Sequence, residues 1–218
     1  MKITCISDTH QIIKSQTDRA RLTAMLPGGE CIVHSGDVSG RGSVPEIQMF
    51  LDWFSSLNYT HKIFIAGNHD HLFEKDPSLA QSMVDSYPGL VYLNDSGAEI
   101  EGIKFWGSPV TPYFYNWAFN RYADQIVQHW EMIPDDVDFL ITHGPPKGIL
   151  DQLEDSSRVG CSSLLRKVMQ VKPKVHQFGH IHCSRGIDRI GSTIFVNAAV
   201  LDEDYTLVEL APFEVELN

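Results

Sequence analysis

Lys2-Ile3-Thr4-Cys5-Ile6-Ser7-Asp8-Thr9-His10 reads as a short apolar run that gives way to small, polar and metal-competent residues. The run has the length and make-up of a core strand. The same succession recurs along the chain. Residues 30–34 lead into Ser35-Gly36-Asp37, and residues 62–66 into Gly67-Asn68-His69-Asp70. Residues 139–142 lead into His143-Gly144, and 175–178 into Gly179-His180-Ile181-His182. In open α/β sheets the site lies beyond the carboxyl ends of the strands. Loops far apart in sequence can therefore converge in space.

Helical patterns lie between these runs. Residues 44–57 carry Ile47, Phe50, Leu51 and Phe54 at helical spacing, with Pro45 suited to a first turn. Residues 160–171 predict a helix ended by Pro173. Further strands are expected at 98–100, 104–107, 193–196 and 206–210. Strand–helix alternation early and hairpin-like strands late argue an α/β fold with some antiparallel pairing. With 218 residues, 43% of them hydrophobic, the chain can bury one sizeable core, read as a single domain over 1–218.

Lys and Arg total 17 against 28 Asp and Glu, a formal charge of -11. Such a chain has no bulk attraction for a phosphate backbone, so long nucleic acid is not an expected partner. A locally cationic site can still take a small phosphate ester, and two divalent ions would supply that charge. No apolar run reaches the length of a bilayer span, and the N-terminus reads as a strand, not a signal peptide. The cysteines Cys5, Cys31, Cys161 and Cys183 are scattered without a CxxC pair. Cys5 and Cys31 sit in apolar runs as reduced core residues, which fits a cytoplasmic protein without membrane attachment. The oligomeric state is left open.

The ligand types at the loops are carboxylate, imidazole and one amide: Asp8, His10, Asp37, Asn68, His143, His180 and His182. That set suits Mn, Fe or Zn and excludes a purely soft site. Asp8 and His10, and likewise His180 and His182, are i, i+2 pairs just past a strand, where extended residues point the same way. The adjacent Gly36, Gly67, Gly144 and Gly179 permit close backbone approach. A carboxylate can bridge two cations, and Asp37 is the candidate bridge. Two ions about 3.5–4 Å apart can hold a shared hydroxide of pKa about 7, which attacks phosphorus in line with the leaving group.

In order, D-x-H, G-D, G-N-H-D, a lone H and G-H-x-H resemble the calcineurin-like metallophosphoesterase superfamily, and the likeness runs from Asp8 to His182. The fold it implies is a two-sheet α/β/α sandwich. The resemblance implies one metal on Asp8, His10, Asp37 and His182, and another on Asp37, Asn68, His143 and His180; the all-N/O ligand set favours Mn. It makes His69 the catalytic histidine beside the metals and Asp70 its orienting partner. Residues 92–96 and 107–112, Trp117, and Thr142-His143-Gly144-Pro145-Pro146 are similar to the metallophosphoesterase-domain-containing subgroup. That subgroup implies phosphodiesterase activity, including on cyclic nucleotides.

The remaining histidines, His34, His61, His71, His129 and His176, are read as packed or exposed. Glu154 and Asp155, near Asp151, read as a solvated face. Arg158 is a candidate phosphate contact. The aromatic segment 112–121 reads either as a core plug or subunit interface, or as a wall in which Tyr115 and Trp117 stack a base. The expected activity is hydrolysis of phosphodiester bonds in small or cyclic nucleotides. The alternatives are a phosphomonoesterase or nuclease on the same site, or a non-catalytic binding module.

Overall fold

A computed structural model describes residues 1–217. Its elements, in chain order, are β1 (Lys2–Ile6), a 3-10 turn at His10–Lys14, α1 (Gln16–Met25), β2 (Gly29–Ser35), α2 (Val44–Ser56) and β3 (Tyr59–Ile65). They continue with α3 (His71–Lys75), α4 (Pro77–Asp85), β4 (Leu90–Tyr92), β5 (Ser96–Ile100), β6 (Ile103–Ser108), β7 (Thr111–Pro112) and β8 (Asn120–Arg121). The last are α5 (Ala123–Glu131), β9 (Phe139–Thr142), α6 (Ser162–Val171), β10 (Val175–Phe178), β11 (Gly186–Ile190), β12 (Thr193–Asn197) and β13 (Phe213–Glu216).

One sheet has the order β13-β1-β2-β3-β4, the other β11-β12-β10-β9-β6-β5. Their central strands are parallel, and antiparallel strands close three of the four outer edges: β13 on β1, β11 on β12 and β5 on β6. The inner faces meet through Ile3, Cys5, Val33 and Ile65 from one sheet and Phe105, Phe139, Ile141 and Val196 from the other. The helices cover the outer faces. Ile47, Phe50 and Phe54 of α2 pack with Phe64 and Phe73, while Trp130 of α5 and Leu164 and Val168 of α6 pack with Phe178 and Phe195. Polar stitching joins the sheets just under the strand ends. The buried Gln177 amide donates to the carbonyls of Ile6 at 2.9 Å and Val33 at 3.0 Å. No helix among the described residues is long and apolar enough to cross a membrane.

One sequence expectation needs correction. Residues 206–210 form no strand. The Asp202 carboxylate accepts from the amides of Asp204 and Thr206 and turns the chain there. The edge beside β1 is taken by β13, in which Val215 pairs with Ile3. The neighbourhood of Glu154 and Asp155 is exposed, but Asp151 is fully buried and accepts from the amides of Gly148 and Gly160. It ties together the two ends of that loop.

The start of α2 offers a stability prediction. The Glu46 carboxylate accepts from Ser43 N at 3.0 Å and Ser43 Oγ at 2.7 Å, and pairs with Lys14 at 2.7 Å. Burial works to raise its pKa, but the Lys14 and Ser43 bonds prevail and hold it down at about 2. A depressed folded pKa contributes stability that is complete above the ordinary value of 4.5 and is lost as pH falls through about 2. Glu46→Gln should lower the thermal midpoint at pH 7 by about 2–4 °C, and the deficit should vanish in acid. Thermal unfolding of both proteins across pH 2–7 checks this; a deficit that is the same at every pH refutes the ionic account.

Candidate active site

Asp8 follows β1, Asp37 follows β2, Asn68 and His69 follow β3, His143 follows β9, and His180 and His182 follow β10. All lie past carboxyl strand ends, and the described structure brings their donor atoms together. Three groups have mutually close donors: Asp8 with His10 and His182, His10 with Asp37 and His69, and Asp37 with His143 and His180. Shared members link the groups into one chain of donors. Asp37 Oδ2 lies 3.5 Å from His10 Nε2 and 3.3 Å from His143 Nε2, and Asp8 Oδ1 lies 3.5 Å from His182 Nε2. Asn68 Oδ1 is 2.9 Å from His143 Nε2.

The convergence is not achieved by strand alternation, as the i, i+2 reading expects. Asp8, His10, Asp37 and His180 have φ of 58°, 41°, 54° and 69°. These left-handed turns swing the side chains inward just past each strand. Such backbone costs non-glycine residues about 1–2 kcal/mol each and persists only where the surroundings enforce it. Here Asp8 N donates to Gly36 O and His10 N to Asp37 O, both at 3.0 Å. Glycine is required where the loops touch. A Cβ on Gly179 would lie 2.0 Å from Asp8 Oδ2, and one on Gly67 would lie 2.3 Å from Asp37 Oδ1.

Backbone carbonyls hold one ring nitrogen in each of three imidazoles. His143 Nδ1 bonds Ser35 O at 2.9 Å, His182 Nδ1 bonds Asp202 O at 2.8 Å, and His69 Nδ1 bonds Gly40 O at 2.8 Å. A carbonyl only accepts, so each Nδ1 carries the hydrogen and each Nε2 is presented to the cluster. Asp70 does not orient His69, contrary to what the resemblance implies. Its carboxylate accepts from Val38 N, Ser39 N, Ser39 Oγ and Gly67 N. It therefore staples the Asp37 loop to the Asn68 loop, and the Gly40 carbonyl takes the orienting role. Nothing in sequence spacing signals a carbonyl partner.

The electrostatics fit a cation site. Burial lowers His10 to about 4 and His180 to about 3. Burial also opposes charge on His143 and His182, yet Asp37 and Asp8 respectively pull these two up to about 9. Asp8 and Asp37 are fully buried, which by itself raises a carboxyl, but the facing histidines hold both well below the usual range. Two buried carboxylates thus draw positive charge into the cluster, and protons supply it where no metal does. His10 carries the sharpest sign. Both its ring nitrogens are buried without a hydrogen-bond partner, although buried polar atoms nearly always have one. A metal held by Nε2 would satisfy one of them. Asp8, His10, Asp37, Asn68, His143, His180 and His182 fit divalent metal as a donor set.

The histidines set aside by sequence lie outside the donor groups. His34 bonds Thr9 Oγ1, His176 bonds Thr142 Oγ1, and His129 bonds Asp95. His61 lies 3.7 Å from Glu101, and His71 packs along Trp117. The aromatic segment divides. Trp117 stacks on His69, while Phe114 and Tyr115 line a cleft of 530 Å³ that reaches His180 and includes Lys147 and Arg158. Arg158 pairs with Asp151 at 2.7 Å. Sequence reading missed Tyr205, whose ring lies 4.9 Å from that of His10 and 5.4 Å from that of His182. Its φ of 59°, unusual for an aromatic residue, is the only local sign of a special position and is invisible in sequence.

A two-sheet α/β sandwich with clustered Asp, Asn and His at its strand ends is the architecture of a metal-dependent phosphoesterase. The calcineurin-like phosphoesterase family matches residues 1–184, and the chain belongs to that family. It is 36% identical to human metallophosphoesterase domain-containing protein 1, over 99% of this chain and 71% of that one. A UPF0046 protein of Caenorhabditis elegans is 34% identical over 91% of this chain and 69% of its own. Among solved structures, the TT1561 protein of Thermus thermophilus superposes with a TM-score of 0.63 at 11% identity, over 90% of this chain and 88% of that one. A protein described as a novel archaeal phosphodiesterase gives 0.51 at 16% identity over the whole of both chains. At these identities the structural likeness speaks for the fold.

Proposed function

We propose that the protein is a phosphodiesterase acting on small or cyclic nucleotides with two divalent ions, manganese in preference, in the cytoplasm. The observation that carries the reading is the aromatic cleft opening on the donor cluster at His180, with Phe114 packed 5.3 Å from that ring. One ion is assigned to Asp8, His10, Asp37 and His182, the other to Asp37, Asn68, His143 and His180. When bound, two such ions activate water and neutralise charge on the phosphoryl oxygens. The protein's own part is to hold the ligands, to place the ester in the cleft and to deliver a proton from His69 to the leaving oxygen. Four free cysteines suit a reducing compartment.

Diesters are favoured over monoesters because the two cations that line the cleft, Lys147 and Arg158, are engaged, Lys147 with the Arg158 carbonyl. Arg121 pairs with Glu74 at 2.8 Å, Arg158 with Asp151, and Arg185 donates to Ala211 O while lying over Phe213. A dianion would need a free cation for its third oxygen. A diester needs an apolar surface for its second group, which Phe114 and Tyr115 offer. Tyr115 is 72% exposed, free to stack a base. Base stacking is worth about 1–3 kcal/mol, roughly ten- to hundredfold in binding. Tyr115→Ala is expected to cut kcat/KM for a nucleotide diester by about tenfold while sparing methyl nitrophenyl phosphate. Equal losses on both substrates would remove the stacking role, and faster turnover of nitrophenyl phosphate than of its methyl ester would favour a phosphomonoesterase.

A further inference from the structure

Trp117 is fastened to the loop that carries His69. Ala118 N donates to Asn68 O at 3.1 Å, and Arg121 Nη1 donates to Glu74 Oε1 at 2.8 Å, in the helix that begins two residues after His69. Asn120 Nδ2 donates to Thr111 Oγ1 at 2.9 Å, and the two-residue strands β7 and β8 pair beside it. These ties set the indole on the imidazole of His69, with ring centroids 4.3 Å apart and planes 29° from parallel. The next turn adds His71, 5.8 Å from the same indole at 25°. The edge contact of His69 is His10, at 4.5 Å and 84°.

A single hydrogen bond does not fix an imidazole. The Gly40 carbonyl holds His69 at Nδ1, but the χ2 well of histidine is broad, and the ring can rock about that contact. A stacked indole removes the rocking, because tilting the ring forfeits the face contact. With Nδ1 held and the face covered, Nε2 is left pointing to the Asp37 side of the cluster, 4.0 Å from Asp37 Oδ2. This use of Trp117 differs from a base-stacking wall: the indole face toward the site is occupied by His69.

We infer that Trp117 is a positioning residue for His69, stacking on its imidazole so that Nε2 stays aimed into the metal cluster. The inference rests on the catalytic reading of His69. Its loss should appear in kcat and not in KM, since the indole meets the histidine and not the ester.

The test uses Trp117→Leu, Trp117→Phe, His69→Ala and the Trp117→Leu/His69→Ala double variant of the full chain. Each is checked for thermal midpoint and Mn content, then assayed on a cyclic nucleotide. Trp117→Leu is expected to keep its metal and lose about ten- to hundredfold in kcat, with KM nearly unchanged. Trp117→Phe should recover most of the rate. In the double variant Trp117→Leu should cost nothing beyond His69→Ala, because a positioning residue has no effect once its client is gone. Independently of activity, the ring resonances of His69 in metal-free protein should shift and broaden in Trp117→Leu and sharpen again in Trp117→Phe. Losses that multiply in the double variant, a rise in KM alone, or unchanged His69 resonances overturn the inference. Full activity in His69→Ala would instead overturn the catalytic reading of His69, and the ring resonances would still decide whether Trp117 holds that side chain.

Discussion

On the proposed two-ion reading, replacing Asp37 by alanine is expected to abolish activity and to lower bound Mn from two equivalents to one or none. Asn68→Ala should keep at least one. Asp37 is the only carboxylate in two of the three donor groups. Its Oδ2 stands 3.5 Å from His10 Nε2 and 3.3 Å from His143 Nε2, while its Oδ1 accepts from His69 N at 2.8 Å. Removing it takes a charge from both halves of the site at once, whereas Asn68 contributes a neutral amide to one. Alanine at φ 54° also carries a backbone penalty of about 1–2 kcal/mol. Asp37→Asn tolerates that backbone and removes only the charge, so it separates metal loss from misfolding. Metal analysis of dialysed proteins and a chelation–readdition assay decide the matter. Two equivalents retained by Asp37→Ala would exclude the shared-ligand assignment.

On the same reading, His69→Ala is expected to retain both metals and to lose about 10²–10⁴-fold in kcat if the imidazole serves as general acid. The geometry makes the expectation specific. Nδ1–H is committed to the Gly40 carbonyl, so the catalytic proton is carried on Nε2, the nitrogen facing Asp37. A leaving alkoxide needs that proton, whereas a nitrophenolate needs it little. The loss should therefore be large for a nucleotide ester and small for methyl nitrophenyl phosphate. Equal losses on both would point to stabilisation of charge in the transition state. Asp70→Asn tests the corrected role of the neighbouring carboxylate. Because Asp70 accepts four hydrogen bonds joining two loops and none from His69, its replacement should lower stability and metal content together.

What the sequence carries and what it hides follow from the range of the interactions. The central parallel strands are legible because strands covered on both faces are predominantly apolar: Ile3, Cys5, Val33, Ile63, Phe139, Ile141 and Val175 on the inner faces and Ile6, Ile32, Phe64, Leu140 and Phe178 on the outer ones are all fully buried. The α2 helix is legible because its inner face repeats at helical spacing. The α1 helix is not, since Leu22 is its only buried residue and its start rests on Ser15 Oγ accepting from Asp18 N. The expected strand at 206–210 fails for the opposite reason. Its composition suits a strand, but pairing is decided by which segment reaches the free edge of β1, and that is β13.

The seven donor residues and His69 are legible as short polar sequences at strand ends, because a metal-competent side chain keeps its chemistry wherever the chain takes it. Their order and residue types, read from sequence alone, determine the family and the kind of site. Only the tertiary structure decides how they converge: left-handed turns at Asp8, His10, Asp37 and His180, backbone carbonyls on His69, His143 and His182, and the indole of Trp117 on His69. It also gives Asp70 to the loops and Tyr205 to the site. Those assignments depend on backbone atoms and on contacts between distant segments, and a backbone carbonyl has no letter in the sequence.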